Sequence, residues 1–211
     1  MAILKGNCYV CGKKLAKTAM KNHMLKDHQA GESPFILIRA EGSYNKNFWL
    51  LFAVPFEASL NRVDTFLRKI WCECCGHLSA FSQTSYGRYS KIPKTTKVAD
   101  FYPGAVIDYE YDMGSTTKIT LTCLDALKLP EPTKKIYLLA RNIAPEVPCS
   151  KCGDMATMYD YEGDELLCDS CSEPLEDEVL PFVNSPRWGV CGYNGYSDQW
   201  TFSPDGPFPQ Y

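Results

Sequence analysis

The sequence predicts an α+β protein in which an antiparallel-rich sheet with one packed helix is flanked by two small zinc-binding units. Three observations predict this fold: short β-branched and aromatic runs between turn residues, one amphipathic helical pattern, and C-x-x-C pairs towards both ends. Hydrophobic residues make up 45% and aromatic residues 13% of the 211 positions, which is typical of folded globular proteins. The composition therefore excludes an intrinsically disordered chain.

The predicted body, residues 34–142, begins with two strands and a helix. The apolar runs Phe35–Ala40 and Phe48–Pro55 flank a polar turn, which is typical of two paired strands. Ser59 is placed to cap a helix that runs to about Trp71. Its apolar residues recur at helical spacing and are predicted to lie on one face: Leu60, Val63, Phe66, Leu67, Ile70 and Trp71.

Further strands are predicted in the second half of the body. "HLSAFSQ" is one, and Lys135–Asn142 is the last. Between them, "VIDYEYDMGSTTKITLTCL" predicts a hairpin that turns at residues 113–115. Tyr109 and Tyr111 are two positions apart and therefore share one face of a strand. Asp112 can accept hydrogen bonds from turn amides, and Gly114 permits a positive φ.

Residues 1–31 predict a zinc finger of the C2H2 kind, because two thiolates and two imidazoles suit tetrahedral zinc. The two histidines are five positions apart, which is more than one helical turn, so the helix must loosen at its end. Leu15 and Met20 stand near the two core apolar positions of such fingers. The predicted ligands are Cys8, Cys11, His23 and His28.

The finger is also basic, which raises nucleic acid as a partner. Residues 1–28 carry six lysines and one acid, and a single finger reads only about three base pairs. Phosphate contact would therefore be salt-sensitive and tolerant of sequence, and the alternative is that the lysines only solvate a small helix. The lysines concerned are Lys13, Lys14, Lys17, Lys21 and Lys26.

Residues 146–180 predict a zinc ribbon, since two C-x-x-C pairs stand fifteen residues apart. The interval can form a hairpin that turns near Gly163. Eleven acids and one base make this unit acidic, which disfavours phosphate backbones and favours a protein partner. The predicted ligands are Cys149, Cys152, Cys168 and Cys171.

Eleven cysteines, most of them in C-x-x-C pairs and without an apolar export signal, indicate metal ligation in a reducing cytoplasm. The longest apolar run, Phe48–Val54, is far shorter than a membrane span, so no membrane association is expected. Two structural Zn²⁺ ions are the predicted cofactors. Residues 181–211 are rich in Pro, Gly and aromatics and are predicted to pack on the body.

The cysteines outside the two predicted zinc units raise the possibility of a third metal site. Cys74 or Cys75 could join His77 and Cys191 around a metal, or they could be buried free cysteines. A Cys–His nucleophile is disfavoured, because the partial negative charge at the C-terminal end of a helix is unfavourable for a thiolate. Neither a metalloprotease motif nor a nucleotide-binding motif occurs in the sequence, so no catalytic residue is assigned.

Three sequence segments carry a family resemblance: "LRKIWCECCGHLSAF", "YEYDMGSTTKITL" and "NSPRWGVCGYNG". They resemble the zinc-bearing branch of the plasmid ORF-three-like family, first described from an Ri plasmid, over most of residues 35–195. The family's Y-x-Y-D-Φ-G motif is matched by residues 109–114, with Met113 where members usually have Phe. The resemblance implies a compact α+β fold and an association with plasmids or mobile elements, and it implies no catalytic residues.

The predicted function is a non-enzymatic, zinc-binding adaptor or regulatory protein that contacts another protein. Two alternatives stay open. One is nucleic-acid binding by the basic finger together with tail aromatics that could stack on bases, namely Trp188, Tyr193, Tyr196 and Trp200. The other is a metalloenzyme centred on His77.

Overall fold

The computed structural model describes residues 4–29, 31–85, 87–129 and 135–195, and most of them surround one nine-stranded sheet. The strand order is β2-β1-β9-β4-β3-β8-β7-β5-β6, and every neighbouring pair is antiparallel. The strands are β1 (Lys5–Cys8), β2 (Lys14–Ala16), β3 (Ser33–Gly42), β4 (Trp49–Pro55), β5 (Ser79–Ser85), β6 (Arg88–Ile92), β7 (Val106–Tyr111), β8 (Thr117–Leu129) and β9 (Tyr137–Asn142).

The described residues also form a smaller antiparallel sheet, three α-helices and two 3₁₀ helices, Val98–Asp100 and Glu173–Glu178. The small sheet has the order β11-β10-β12. The predicted α+β class with a mainly antiparallel sheet and few helices is confirmed. These elements are β10 (Met158–Asp160), β11 (Glu165–Leu167), β12 (Val179–Pro181), α1 (Lys17–Asp27), α2 (Leu60–Leu67) and α3 (Asp169–Ser172).

The central strands of the main sheet are buried on both faces. Leu50 and Phe52 of β4 pack in the core that includes α2, whereas Trp49 and Leu51 pack in the core that includes α1. This alternation follows from the period of two residues in a strand. A continuous apolar run such as that of β4 is what a strand covered on both faces requires.

Helix α2 has the face that the sequence predicts, and a π-helical turn, Arg68–Cys72, extends it. All six predicted apolar residues are buried in one core. Ser59 is at the N-cap position, as predicted, but its side chain makes no capping hydrogen bond. Instead, the Leu60 amide donates to the Thr96 carbonyl at 2.9 Å and the Asn61 amide donates to the Lys94 carbonyl at 2.8 Å.

The finger adds two strands and a helix to the main sheet. β1 pairs with both β2 and β9, and Met20 and Met24 of α1 are fully buried against the sheet. Gly6 in β1 allows this close approach, because a Cβ there would collide with the Trp49 ring and the Arg141 carbonyl. The four-part division of the chain stays a prediction, while the finger shares the sheet of the body.

The predicted hairpin is formed by β7 and β8, and both tyrosines of β7 are buried in one core. Asp112 accepts the amides of Gly114 at 3.0 Å and Ser115 at 3.3 Å, as predicted. Gly114, which would permit a positive φ, does not take one. Asp112 itself takes the left-handed conformation, with φ 66°, which Asp tolerates because its short side chain bonds locally.

None of the described helices is both long enough and apolar enough to cross a lipid bilayer.

Candidate metal centres

The first cysteine pair of the finger lies on a tight turn that points both thiols towards α1. The Cys8 amide donates to the Lys13 carbonyl at 2.9 Å, and the Gly12 amide donates to the Cys8 carbonyl at 2.8 Å. Gly12 has φ 75°, a conformation that favours glycine. This backbone brings Cys8 and Cys11 into one group with the histidines.

The histidines approach the thiols from the end of α1. His23 lies inside the helix, whereas the helix ends at Asp27 and His28 has φ −123°, so the loosening predicted from the spacing is present. Nε2 of His23 is 3.1 Å from the Cys11 sulfur, and Nε2 of His28 is 3.6 Å from the Cys8 sulfur. Asp27 accepts from Nδ1 of His23 at 2.7 Å, which leaves Nε2 for a metal.

These separations fit the edges of a zinc tetrahedron. With Zn–S near 2.3 Å and Zn–N near 2.0–2.1 Å, the S···N edge is about 3.5 Å and the N···N edge about 3.3 Å. The Nε2 atoms of His23 and His28 lie 3.0 Å apart, and all four ligand atoms lie within 4.8 Å of one another. The sequence-predicted group could therefore hold a metal ion.

The first cysteine pair of the ribbon lies on a turn with the same backbone hydrogen bonds as the cysteine turn of the finger. The Cys149 amide donates to the Asp154 carbonyl at 2.6 Å, the Gly153 amide donates to the Cys149 carbonyl at 3.0 Å, and Gly153 has φ 86°. The predicted hairpin is present as β10 and β11, and Asp160 accepts the amide of Gly163 at 2.8 Å in its turn. The same turn therefore presents thiols in both units.

The four ribbon sulfurs also converge. All lie within 4.8 Å of one another, and Cys152 and Cys168 are 3.5 Å apart, near the S···S edge of about 3.8 Å for tetrahedral zinc. Burial acts to raise the pKa of Cys149, yet backbone amides of Cys152, Cys168 and Lys151 lower that pKa to about 6. A thiol with this pKa is ready to ligate at neutral pH.

The ribbon has little apolar core of its own. Its cluster of buried residues consists of Cys149, Leu167 and Cys168, with Cys171 and Leu175 packed against it. Two of the three buried residues are thus predicted ligands. Units below about 40 residues usually need disulfides, a metal or oligomerisation to fold, so a core this small favours a dependence of the ribbon on metal.

The structure brings together the third group that the sequence left open. The ligand atoms of Cys74, Cys75, His77 and Cys191 lie within 4.8 Å of one another. Nε2 of His77 is 3.3 Å from the Cys191 sulfur. Three Cys/His groups among the described residues could therefore hold metal ions, and two of them are those predicted with all their ligands.

Sequence reasoning missed Arg187, which is 0% exposed and lies beside the third group. Its guanidinium donates to Asp112 at 2.9 Å, to the Thr117 hydroxyl at 3.0 Å and to the Cys74 sulfur at 3.4 Å. It also lies over the Tyr111 ring, 4.8 Å from the centroid. No local periodicity could have revealed it, since Arg187 stands in an irregular segment.

Asp112 forms an ion pair with Arg187 at 2.9 Å. It is buried, and the hydrogen bond from Arg187 holds the pKa of its carboxyl below the usual value. Cys72 and Cys123 belong to the core instead of a ligand group. Burial raises the pKa of both thiols, to about 11 for Cys123, so they are inert at neutral pH.

The five finger lysines differ in their surroundings. Lys17 pairs with Glu41 of β3 and donates to the Lys46 carbonyl at 3.2 Å, so its amine is held against the sheet. Lys13 lies 3.8 Å from Asp27. Lys14 and Lys26 are exposed and Lys21 is half-buried.

The described tail aromatics are in contact with protein. Tyr193 is buried, and Trp188 makes edge contacts with Tyr159 and Phe182, with ring centroids 5.0 Å apart in each pair. Tyr196 and Trp200 lie outside the described residues. The two aromatics that can be assessed favour the interpretation that they seal the surface.

Two cavities lie away from the ligand groups. One of about 200 Å³ is lined by Arg62, Phe66 and Lys69 among others, and one of about 230 Å³ is lined by Phe56 and Phe101 among others. Neither lining includes a residue of the three groups. The three groups are therefore not assembled around these cavities.

No protein-family model matches the sequence, and no curated protein matches it. The crystal structure of a protein of unknown function from Methanosarcina mazei Go1 is similar over 52% of this chain and 68% of that chain. The sequence identity is 15% and the TM-score is 0.44. A similarity this weak carries no argument about function, and the resemblance to the plasmid family stays a prediction.

Proposed function

We propose that the protein is a non-enzymatic adaptor whose finger and ribbon each hold one structural Zn²⁺ ion. The convergence of eight side chains into two groups of four is the observation that carries this proposal. Four protein ligands complete the tetrahedral coordination of zinc, so neither ion would keep a position for water or substrate. Closed sites of this kind stabilise a fold and do not activate a substrate.

The ribbon is the proposed surface for a protein partner. Glu162, Asp164 and Glu178 are exposed, and the segment around them carries eleven acids and one base. A surface with this charge repels phosphate backbones and attracts a basic protein surface. The partner class is therefore a protein with a basic patch. Thiol-based ligand groups also suit the reducing cytoplasm, which we propose as the location.

Nucleic-acid binding by the finger is less well supported. Lys17 already has a carboxylate partner within the chain, and buried Met20 and Met24 turn one face of α1 to the sheet. Lys14 and Lys26 remain exposed and could meet phosphates. Such contacts would be few, and the affinity would depend steeply on salt concentration.

A charge-neutralised variant tests the proposed partner surface. The zinc-loaded full chain is cross-linked in an extract of its source cells, and the captured proteins are quantified by mass spectrometry. We expect the variant Glu162→Gln with Glu178→Gln to lose a partner that the wild type captures in a saturable manner. The matched control variant, Glu32→Gln with Asp125→Asn, should keep it, because it removes the same charge from exposed positions outside the ribbon.

A second arm measures the binding of labelled DNA and RNA oligonucleotides over a range of salt concentrations. The adaptor proposal predicts weak binding that does not change in the variant Lys14→Ala with Lys26→Ala. Tight binding that this variant abolishes, together with capture unaffected by the ribbon variant, would contradict the proposal.

A further inference from the structure

We infer that Cys74, Cys75, His77 and Cys191 form a third zinc site, which fastens the C-terminal segment 184–195 to the body. Three thiols and one imidazole are a ligand set typical of structural zinc. The inference does not depend on the adaptor role, since it concerns a different group of residues. It rests on the convergence of the four ligands, on the residues that orient them and on the path of the C-terminal segment.

The convergence is not a consequence of local sequence. His77 and Cys191 are 114 positions apart, yet Nε2 and the sulfur lie 3.3 Å from each other. A single thiol–imidazole hydrogen bond would explain that pair, but it would not explain why the Cys74 and Cys75 sulfurs also lie within 4.8 Å of both. A shared ion places four ligands together in this way.

The turn that carries three of the ligands is held in place from outside the group. The Glu73 carboxylate accepts the Gly76 amide at 2.6 Å, the Tyr111 hydroxyl at 3.0 Å and the Arg68 guanidinium at 2.6 Å. Gly76 has φ 75°, which lets the chain reverse between Cys75 and His77. The sulfurs are therefore directed by the scaffold.

Neighbouring groups also match the needs of metal ligands. Nδ1 of His77 lies 3.6 Å from the Asp112 carboxylate, so that carboxylate faces the ring nitrogen opposite the ligand nitrogen. Carboxylates in this place orient metal-bound histidines. Arg187 donates to the Cys74 sulfur and supplies positive charge for a thiolate. Asp112 and Arg187 are positioning residues in this inference.

The C-terminal segment reaches the group along a fixed path. The Ser185 hydroxyl donates to the Trp71 carbonyl at 2.8 Å, and Arg187 follows with its buried guanidinium. Cys191 then takes φ 51° and enters the group. An ion bound there would cross-link Cys191 to the segment that follows the π-helical turn. Since four protein ligands complete the zinc coordination, the same inference argues against a catalytic metal at His77.

Counting metal ions in the natively purified full chain by native mass spectrometry tests the inference. We expect three zinc ions in the wild type and two in the variant Cys75→Ala with His77→Ala. This variant removes two of the four ligands of the third site, and neither side chain is buried. Cys123→Ala, which changes a cysteine outside the three groups, should keep three. Cys149→Ser should lose only the ribbon ion, so its remaining ions report the third site separately.

Circular dichroism of the double variant serves as the folding control, and it should match that of the wild type. The inference is wrong if the wild type binds two ions and the double variant also binds two. It is equally wrong if the wild type binds three and the double variant keeps all three. A double variant that unfolds is replaced by Cys191→Ala, which removes a ligand on an exposed residue and must lower the count by one.

Discussion

The finger and the ribbon present thiols on the same type of backbone turn, yet different contacts stabilise the two units. The finger inserts β1 and β2 at the end of the nine-stranded sheet and buries Met20 and Met24 in a core shared with β3, β4 and β9. The ribbon has a separate three-stranded sheet, and its small core consists largely of its own cysteines. The same predicted metal therefore has two different tasks.

This difference means that ligand motifs alone do not reveal how much a unit depends on its metal. We expect the finger to keep its apolar contacts and strand pairing when its ion is removed, and the ribbon to lose most of its stabilisation. Burial of apolar surface and metal ligation are alternative ways for a small unit to compensate its conformational entropy. The predictions below test this comparison, from the largest expected effect to the smallest.

Removal of the ribbon metal should have the largest effect. Structural zinc contributes on the order of 10 kcal/mol or more at neutral pH, and the ribbon has only a small apolar core of its own. We expect the variant Cys149→Ser with Cys168→Ser to become sensitive to limited proteolysis between residues 146 and 181. The corresponding finger variant, Cys11→Ser with His28→Asn, should show weaker cleavage within residues 4–29. Equal cleavage of the two units would contradict the comparison.

Truncation of Met20 should show that the sheet supports the finger. Met20→Ala removes a fully buried side chain and should lower the free energy of unfolding by about 2–5 kcal/mol, measured by urea denaturation of the zinc-loaded protein. Met155, which is 54% exposed, provides the control, and Met155→Ala should change stability by less than about 0.5 kcal/mol. If the two substitutions cost the same, the finger helix does not depend on the sheet.

The body between the two units relies on a buried carboxylate. Burial acts to raise the pKa of Asp64, but hydrogen bonds from Ser79, Lys94 and Tyr109 outweigh it and lower that pKa. A lowered pKa in the folded state stabilises the protein above about pH 4, and this stabilisation is lost as the pH falls through the folded-state pKa.

Asp64→Asn should therefore lower the free energy of unfolding by about 1.5–3 kcal/mol at pH 7. The difference from the wild type should shrink at pH 3, below the ordinary pKa of Asp, because the unfolded wild-type chain then gains a proton that the folded carboxylate resists. Urea denaturation at both pH values measures it, with Asp125→Asn as a control at an exposed acid. A difference that does not change with pH would show that the charge of Asp64 is not the cause.

The smallest effect is expected at the surface of the finger. Lys17→Ala removes the ion pair with Glu41 and should lower stability by about 1 kcal/mol or less, since Glu41 keeps Arg39 at 2.7 Å. Lys14→Ala, at an exposed lysine, should leave stability unchanged in the same urea measurement. A larger effect at Lys14 than at Lys17 would show that the docked side of the finger has been misidentified.

Local patterns predicted the strands of the hairpin, the buried face of α2 and the composition of two ligand groups. They succeeded because alternation, helical periodicity and C-x-x-C spacing are local properties of the chain. Ser59 is the N-cap residue, but its side chain makes no capping hydrogen bond, because the carbonyls of Lys94 and Thr96, remote in sequence, accept the first amides of the helix.

Contacts between distant residues explain the other differences. The pairing of β1 with β9 joins positions more than 130 residues apart, and no local pattern encodes it. Arg187 is buried because Asp112 and Thr117 meet it from another part of the chain. Cys191 joins the third group for the same reason. The sequence could raise that group only as one of two possibilities, because its ligands are scattered.

Amide hydrogen exchange of the full chain during titration with a zinc chelator tests the central claim most directly. Two metals, one essential to the ribbon and one that reinforces a finger already packed on the sheet, predict an ordered loss of protection. Amides of β10 and β11 should exchange first, those of β1 and α1 at higher chelator concentration, and those of β3 and β4 last. Simultaneous loss in all three regions, or no loss in either small unit, would contradict the account.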